Sequence, residues 1–299
     1  MLAWPLTPSR GQGPAQPTAD DLLKGLPEQW RAKETLKLDL TAILKAYPGY
    51  VQGLEVAAGD KLVLVMKDGT KIVYDDGQAK IFEAKLDNPD MEDMLSQIYP
   101  PGKPQALPPD FDPGRFRVVA FLDSVYGGSA AQVTAHLVPV SFAGTTVQFN
   151  SQNSAAAALA LVGQELVALL KENPGLKGAV FPLGGTYNRR AIAGTKRLSP
   201  HSWGMAIDLN PQRGAYWLWA KGKGAAAAGK PLAGPPYEIV QIFEKHGFIW
   251  GGKWSHYDTM HFEYRPEMAA KAQLTLPERQ GAVSPQSPLI PWASLPNQR

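Results

Sequence analysis

Two short blocks constrain this chain more than any other feature. They are Ser199-Pro200-His201-Ser202-Trp203-Gly204-Met205-Ala206-Ile207-Asp208 and Asp258-Thr259-Met260-His261-Phe262-Glu263. In the first, Met205, Ile207 and Leu209 alternate with Ala206, Asp208 and Asn210, the period-two pattern of a half-buried strand. The large apolar side chains take one face, so Asp208 takes the other, where the small Ala206 leaves room beside it. In the second, Met260, Phe262 and Tyr264 alternate with His261 and Glu263, which therefore share a face. Two imidazoles and a carboxylate offered from rigid strands are a three-ligand set for zinc, with a fourth position open to water or substrate. His201, Asp208 and His261 are thus the expected metal ligands.

Asp258 lies just upstream of His261. A metal-assisted hydrolysis needs a base beside the attacking water, and a carboxylate here is well placed to serve. Positions three apart on a strict strand point to opposite faces, so Asp258 is expected in the turn that Lys253–Tyr257 supplies. The chain has five histidines. His246, before Gly247, reads as a helix C-terminal residue, and His136 as a polar position within a strand. His256 fits either a cleft or a plain loop. Glu263 fits either a residue orienting a ligand histidine or a solvent-facing strand position.

The pattern Ser-x-His-x-x-Gly-x-Ala-x-Asp, followed much later by Asp-x-x-His, resembles the zinc D-Ala-D-Ala carboxypeptidase and L-alanyl-D-glutamate peptidase family (VanY-type, M15 peptidases), whose fold is shared with the hedgehog signalling domain. The resemblance covers roughly residues 184–266. It implies one zinc ion held by His201, Asp208 and His261, with Asp258 as general base. It also implies an upstream arginine that binds substrate and polarises the scissile carbonyl, Arg190 or, as the alternative, Arg189. The implied substrate is a peptidoglycan stem peptide cut at a bond involving a D-amino acid. Asp at the base position favours the L-alanyl-D-glutamate endopeptidase type over the carboxypeptidase. Other readings are a non-catalytic zinc scaffold that binds peptidoglycan or a partner, and a hydrolase of another amide. The implied location is the cell envelope, although Met1–Pro8 does not read as a secretory signal. Trp203, Tyr187 and Trp254 are candidates to line the cleft, and Arg189, Lys196 and Arg197 to hold a substrate carboxylate.

Composition excludes several other classes. With no cysteine, disulfides, thiolate-bound zinc and a cysteine nucleophile are ruled out. A net charge of +3 is too small to point to nucleic acid. The apolar run Ala155–Leu170, interrupted by Gly163, Gln164 and Glu165, reads as too short to span a membrane. Oligomeric state is not legible.

The 299 residues suffice for two units. Residues 1–19, rich in Pro, Gly and Gln, are expected to be mobile. Residues 20–99 read as a small α+β unit that positions substrate or wall and does no chemistry. It has helical segments broken at Pro27, a hairpin over 61–74 turning at Asp68-Gly69, and a cap at Asn88-Pro89-Asp90. In the competing reading, Trp30, Leu62 and Leu64 complete the catalytic core. Residues 100–115 form a Pro-rich linker or surface strap. Residues 116–270 are expected to be the catalytic domain, an antiparallel sheet with flanking helices, so that the whole chain is α+β. Strands are expected at 116–122 and 133–142, the latter at an edge because of Pro139. A helix is expected over 153–173, capped by Asn153 or Ser154. Residues 221–234 read as a low-complexity excursion, and 271–299 as a Pro-rich tail.

Overall fold

The computed structural model describes residues 16–220 and 233–275. Most of the expected mobile terminus, the low-complexity excursion and the tail beyond residue 275 lie outside these residues. Thr18 caps helix α1 (Ala19–Leu23) through a reciprocal box with Asp21. Pro27 then opens α2 (Glu28–Arg31), and α3 (Glu34–Ala46) buries Leu36, Leu40 and Ile43 along one stripe. Strands β1 (Val51–Ala57), β2 (Lys61–Met66) and β3 (Lys71–Asp75) form an antiparallel meander that contains the expected hairpin. Helix α4 (Phe82–Asp87) follows. Asp90 caps α5 (Met91–Leu95), as its position after Asn88-Pro89 suggests.

The next stretch departs from expectation. Residues 116–122 do not form a strand; helix α6 spans Val119–Tyr126 and ends at Gly127, whose φ of 112° stops it. Val118, Phe121, Leu122 and Val125 are buried at helical spacing. A short apolar run does not distinguish this from strand alternation. The expected strand at 133–142 is also divided. A Ser129/Gln132 capping box starts helix α7 (Ala130–His136), and only then does β4 (Leu137–Phe142) begin. His136 therefore ends a helix, with Nδ1 near the Tyr126 carbonyl oxygen. β4 pairs with β5 (Thr145–Asn150) in a two-stranded ribbon, where Pro139 lies opposite Gln148.

Helix α8 (Ala155–Glu172) is the long helix the sequence predicts. No side-chain cap starts it: Ser154 is left-handed, and the Asn153 amide instead donates to the Ala46 carbonyl. By length and composition α8 could cross a membrane, but its Leu159, Val162 and Leu166 face is buried in the core. A Cβ at Gly163 would lie 2.7 Å from the Ser141 carbonyl oxygen, so glycine allows α8 to rest directly on β4. Short helices α9 (Lys177–Val180) and α10 (Trp217–Ala220) flank the third sheet, with α11 (Tyr237–Lys245) behind it. His246 is the C-cap of α11, as expected. This sheet is antiparallel in the order β6 (Ala206–Asp208), β8 (His261–Tyr264), β7 (Phe248–Trp250). The fold is α+β, and every strand pair among the described residues is antiparallel.

The last helix, α12 (Pro266–Thr275), packs on α3 and takes in the first residues of the expected tail. The Tyr47 hydroxyl donates to Glu267 at 2.6 Å. Lys271 pairs with buried Asp39 at 2.5 Å, and the Tyr99 hydroxyl donates to Glu244 at 2.6 Å. Trp30, Leu62 and Leu64 share one continuous apolar core with Phe243, Phe248 and Phe262. Residues 100–115 run along the third sheet as a strap. The Lys253 ammonium donates to the Pro100 carbonyl, and the Trp254 indole N–H to the Pro113 carbonyl.

Candidate metal centre and active site

The two blocks meet in the third sheet. In the β6–β8 register Asp208 lies directly opposite His261. Ile207 and Leu209 point into the core, and Asp208 points the other way, as the alternation predicts. His201 arrives on a turn of 3-10 helix, Pro200–Trp203, ended by left-handed Gly204 with φ 63°. A Cβ at Gly204 would lie 2.6 Å from Leu137, so both the conformation and the close approach call for glycine.

One ligand atom from each of His201, Asp208 and His261 falls within 4.8 Å of the others. The hydrogen bonds define which atoms face inward. His201 Nδ1 is 2.7 Å from the Thr186 carbonyl oxygen, which fixes Nδ1 as the donor. Its Nε2 is then a lone pair, 3.2 Å from Asp208 Oδ1 and without a hydrogen-bond partner among the described residues. His261 Nε2 faces buried Glu263 at 3.2 Å, and its Nδ1 faces Asp208 Oδ1 at 2.9 Å. Burial alone would lower the His261 pKa, but Asp208 and Glu263 raise it to about 10. Burial likewise opposes ionisation of Asp208, yet the two histidines hold its carboxyl well below the usual range. A carboxylate oxygen and two imidazole nitrogens converging on one point fit a divalent metal ion. The buried unpartnered Nε2 of His201 is what such an ion would satisfy.

Asp258 lies in the turn before β8, as expected. It bridges Tyr216, and its amide donates to the Gly251 carbonyl. Its Oδ1 is buried without a hydrogen-bond partner among the described residues. Burial pushes the carboxyl up to about 6, offset in part by the charges of His261 and Arg115. A carboxylate with a raised pKa beside a metal-type triad can take and return a proton near neutrality.

The two candidate arginines separate cleanly. Arg189 donates to the Gly128 carbonyl at 2.9 Å and faces Asp123, turned into the protein. Arg190 is exposed, and its backbone is held by the Ser202 hydroxyl and the Ser199 amide beside the His201 block. Trp203 is fully buried with its indole N–H on Asp123, so it braces the His201 turn and does not line a cleft. Trp254 is also buried, tilted against His261 with ring centroids 5.8 Å apart. Tyr187 is half-buried.

The structure decides between the two readings of Glu263 and adds Asp112, Arg115 and Arg117, which periodicity did not reveal. Glu263 is fully buried and paired with Arg117 at 2.7 Å and Arg265 at 3.0 Å, which excludes the solvent-facing reading. Arg115 donates to the His256 carbonyl at 2.9 Å, and its guanidinium lies 5.2 Å from the Trp254 ring. His256 is held by buried Asp112 at 2.8 Å. Asp112, Arg115 and Arg117 come from the strap and its continuation, remote in sequence from both blocks. The only local signal was the cluster of charge at Asp112, Arg115 and Arg117 within a Pro-rich and apolar stretch.

A family model described as D-alanyl-D-alanine carboxypeptidase matches residues 193–264, the segment that carries all three ligand candidates and Asp258. Over that segment the chain is similar to M15-type peptidases. No curated protein and no solved structure gives a significant match.

Proposed function

We propose that the protein is a zinc-dependent peptidase that cuts peptidoglycan stem peptides at a bond involving a D-amino acid. The observation that carries this reading is the convergence of His201 Nε2, Asp208 Oδ1 and His261 Nδ1 on one point, with the raised carboxyl of Asp258 beside them. The family match over the same residues supports it. Zinc in such a site polarises a carbonyl and acidifies a water molecule.

The chain's own residues do the rest. Thr186 and Glu263 orient the two imidazoles so that His201 Nε2 and His261 Nδ1 face inward, where a metal ion would take the place of any proton on them. Asp208 supplies the negative charge of the ligand set. Asp258 accepts the proton lost by the attacking water and returns it to the leaving amine. Arg190, exposed beside the His201 block, polarises the scissile carbonyl and stabilises the oxyanion. Aspartate at the base position favours cleavage between L-Ala and D-Glu over removal of a terminal D-Ala. The substrate places the protein in the cell envelope.

Digestion of purified muropeptides, with mass spectrometry of the products, tests the proposal. Fragments cut between L-Ala and D-Glu are expected, and loss of terminal D-Ala alone would assign the carboxypeptidase mode. Intact muropeptides with a zinc-loaded protein would contradict the proposal and favour a binding scaffold.

A further inference from the structure

A cavity of about 1340 Å3 is lined by none of the triad residues but by neighbours of the site, among them His256 and Arg117, and much of its wall comes from outside the family match. One wall is α4, through Phe82 and Leu86. The floor is Arg115 and Arg117, and the loop Gly194–Leu198 closes the other side. The cavity adjoins the proposed chemistry. Arg117 holds Glu263, which holds His261, and Arg115 acts electrostatically on Asp258. Its volume exceeds the ~300–1,000 Å3 of an ordinary small-molecule pocket, which suits an extended chain.

The lining carries four cations, Arg115, Arg117, Lys196 and Arg197, against the carboxylates of Glu83, Asp87 and Asp112. Asp112 is already committed to Ser255 and His256. Two of the guanidiniums are under-satisfied. Arg117 has a side chain only 10% exposed, and its Nε–H is buried without an acceptor among the described residues. Arg197 likewise buries its Nε–H without an acceptor, although it reaches Asp87 at 3.5 Å through Nη1. The guanidiniums that line the cavity are thus not saturated by protein acceptors, and their forks suit a carboxylate. Phe82, stacked on His256 with centroids 5.2 Å apart, gives the same space an apolar wall.

We propose that this cavity is an extended substrate site, built jointly by α4, the segment 112–120 and the loop Gly194–Leu198, that grips carboxylates of the peptide away from the bond to be cut, with Arg117 and Arg197 as the anion-holding residues. This deepens the peptidase reading and rests on it. It gives residues 82–89 a role in substrate selection that the family match does not cover.

The test uses the full-length zinc-loaded protein and two stem peptides, one with free carboxylates and one with those away from the cut bond amidated. The free acid should be preferred by about 10-fold in kcat/KM, mostly through KM, the size of a charge-assisted hydrogen bond. Arg197→Gln should bring the ratio close to one. Leu86→Trp, which fills the cavity from the α4 side, should raise KM for the stem peptide while leaving zinc content unchanged. Equal handling of both peptides by the unmodified protein would overturn the site and leave the peptidase reading standing. So would a preference that neither variant alters. If neither peptide is cut, calorimetric binding of the free acid that Arg197→Gln abolishes would retain the site and remove the peptidase reading. Absence of both turnover and binding would overturn both.

Discussion

Glu263 sits 3.2 Å from Nε2 of His261 and is clamped from its other side by Arg117 and Arg265. Burial opposes its charge, but the guanidiniums and His261 hold the carboxyl well below its ordinary range. A permanently ionised acceptor on Nε2 keeps Nδ1 turned toward Asp208, the position from which it can exchange its proton for a metal ion. Glu263→Gln should therefore weaken zinc binding by about 10–100-fold while the fold persists. Chelator competition measures this directly. Unchanged affinity would mean that the ring is oriented by packing against Trp254 alone.

Asp258 is assigned to proton transfer and not to metal binding. Asp258→Asn should keep its zinc and lose hydrolysis. The pH dependence follows in sign. The base works deprotonated, so kcat/KM is present above its pKa and is lost as pH falls through it. Burial sets that pKa at about 6, and a cation at the triad draws it lower. The acidic limb should therefore lie at or below about pH 6. A pH–rate profile checks this, and a limb well above neutrality would assign the titration to another group.

The first unit and the third sheet share one core, tied by Tyr47–Glu267, Asp39–Lys271 and Tyr99–Glu244. Removing residues 16–109 would expose α12 and the back of the third sheet. We expect such a truncation to be insoluble or unable to hold zinc. In the full chain, Tyr47→Phe should cost about 1–3 kcal/mol, because it strips a buried partner from Glu267. Denaturant unfolding of the variant measures it. A soluble, zinc-binding truncation would show that the two units fold independently.

Arg190 and Arg189 are adjacent in sequence and differ in environment. Arg190→Lys should keep fold and zinc and lower kcat by on the order of 10²-fold if a full oxyanion contact is lost. Arg189→Lys should act on stability through its contact with Gly128 and leave kcat near the unmodified value. Steady-state kinetics on a defined stem peptide separates the two, and the reverse pattern would move the role to Arg189.

The site itself was legible because it is written locally. Alternation places Asp208 on the face opposite the apolar side chains, and the turn before β8 places Asp258. What stayed hidden depends on contacts distant in sequence. Nothing around Arg117 shows that it pairs with Glu263, and nothing around Asp112 shows that it holds His256. The strand expected at 116–122 fails because its apolar and small residues, Val118 to Leu122, fit either period. The capping pair Ser129 and Gln132 marks the start of α7, a signal the strand expectation at 133–142 did not use.

The central claim is that His201, Asp208 and His261 hold one metal ion. Elemental analysis of the purified protein beside His201→Ala and His261→Ala tests it most directly. The account predicts about one zinc per chain in the unmodified protein and its loss in both variants. Full zinc retention in both variants would contradict it.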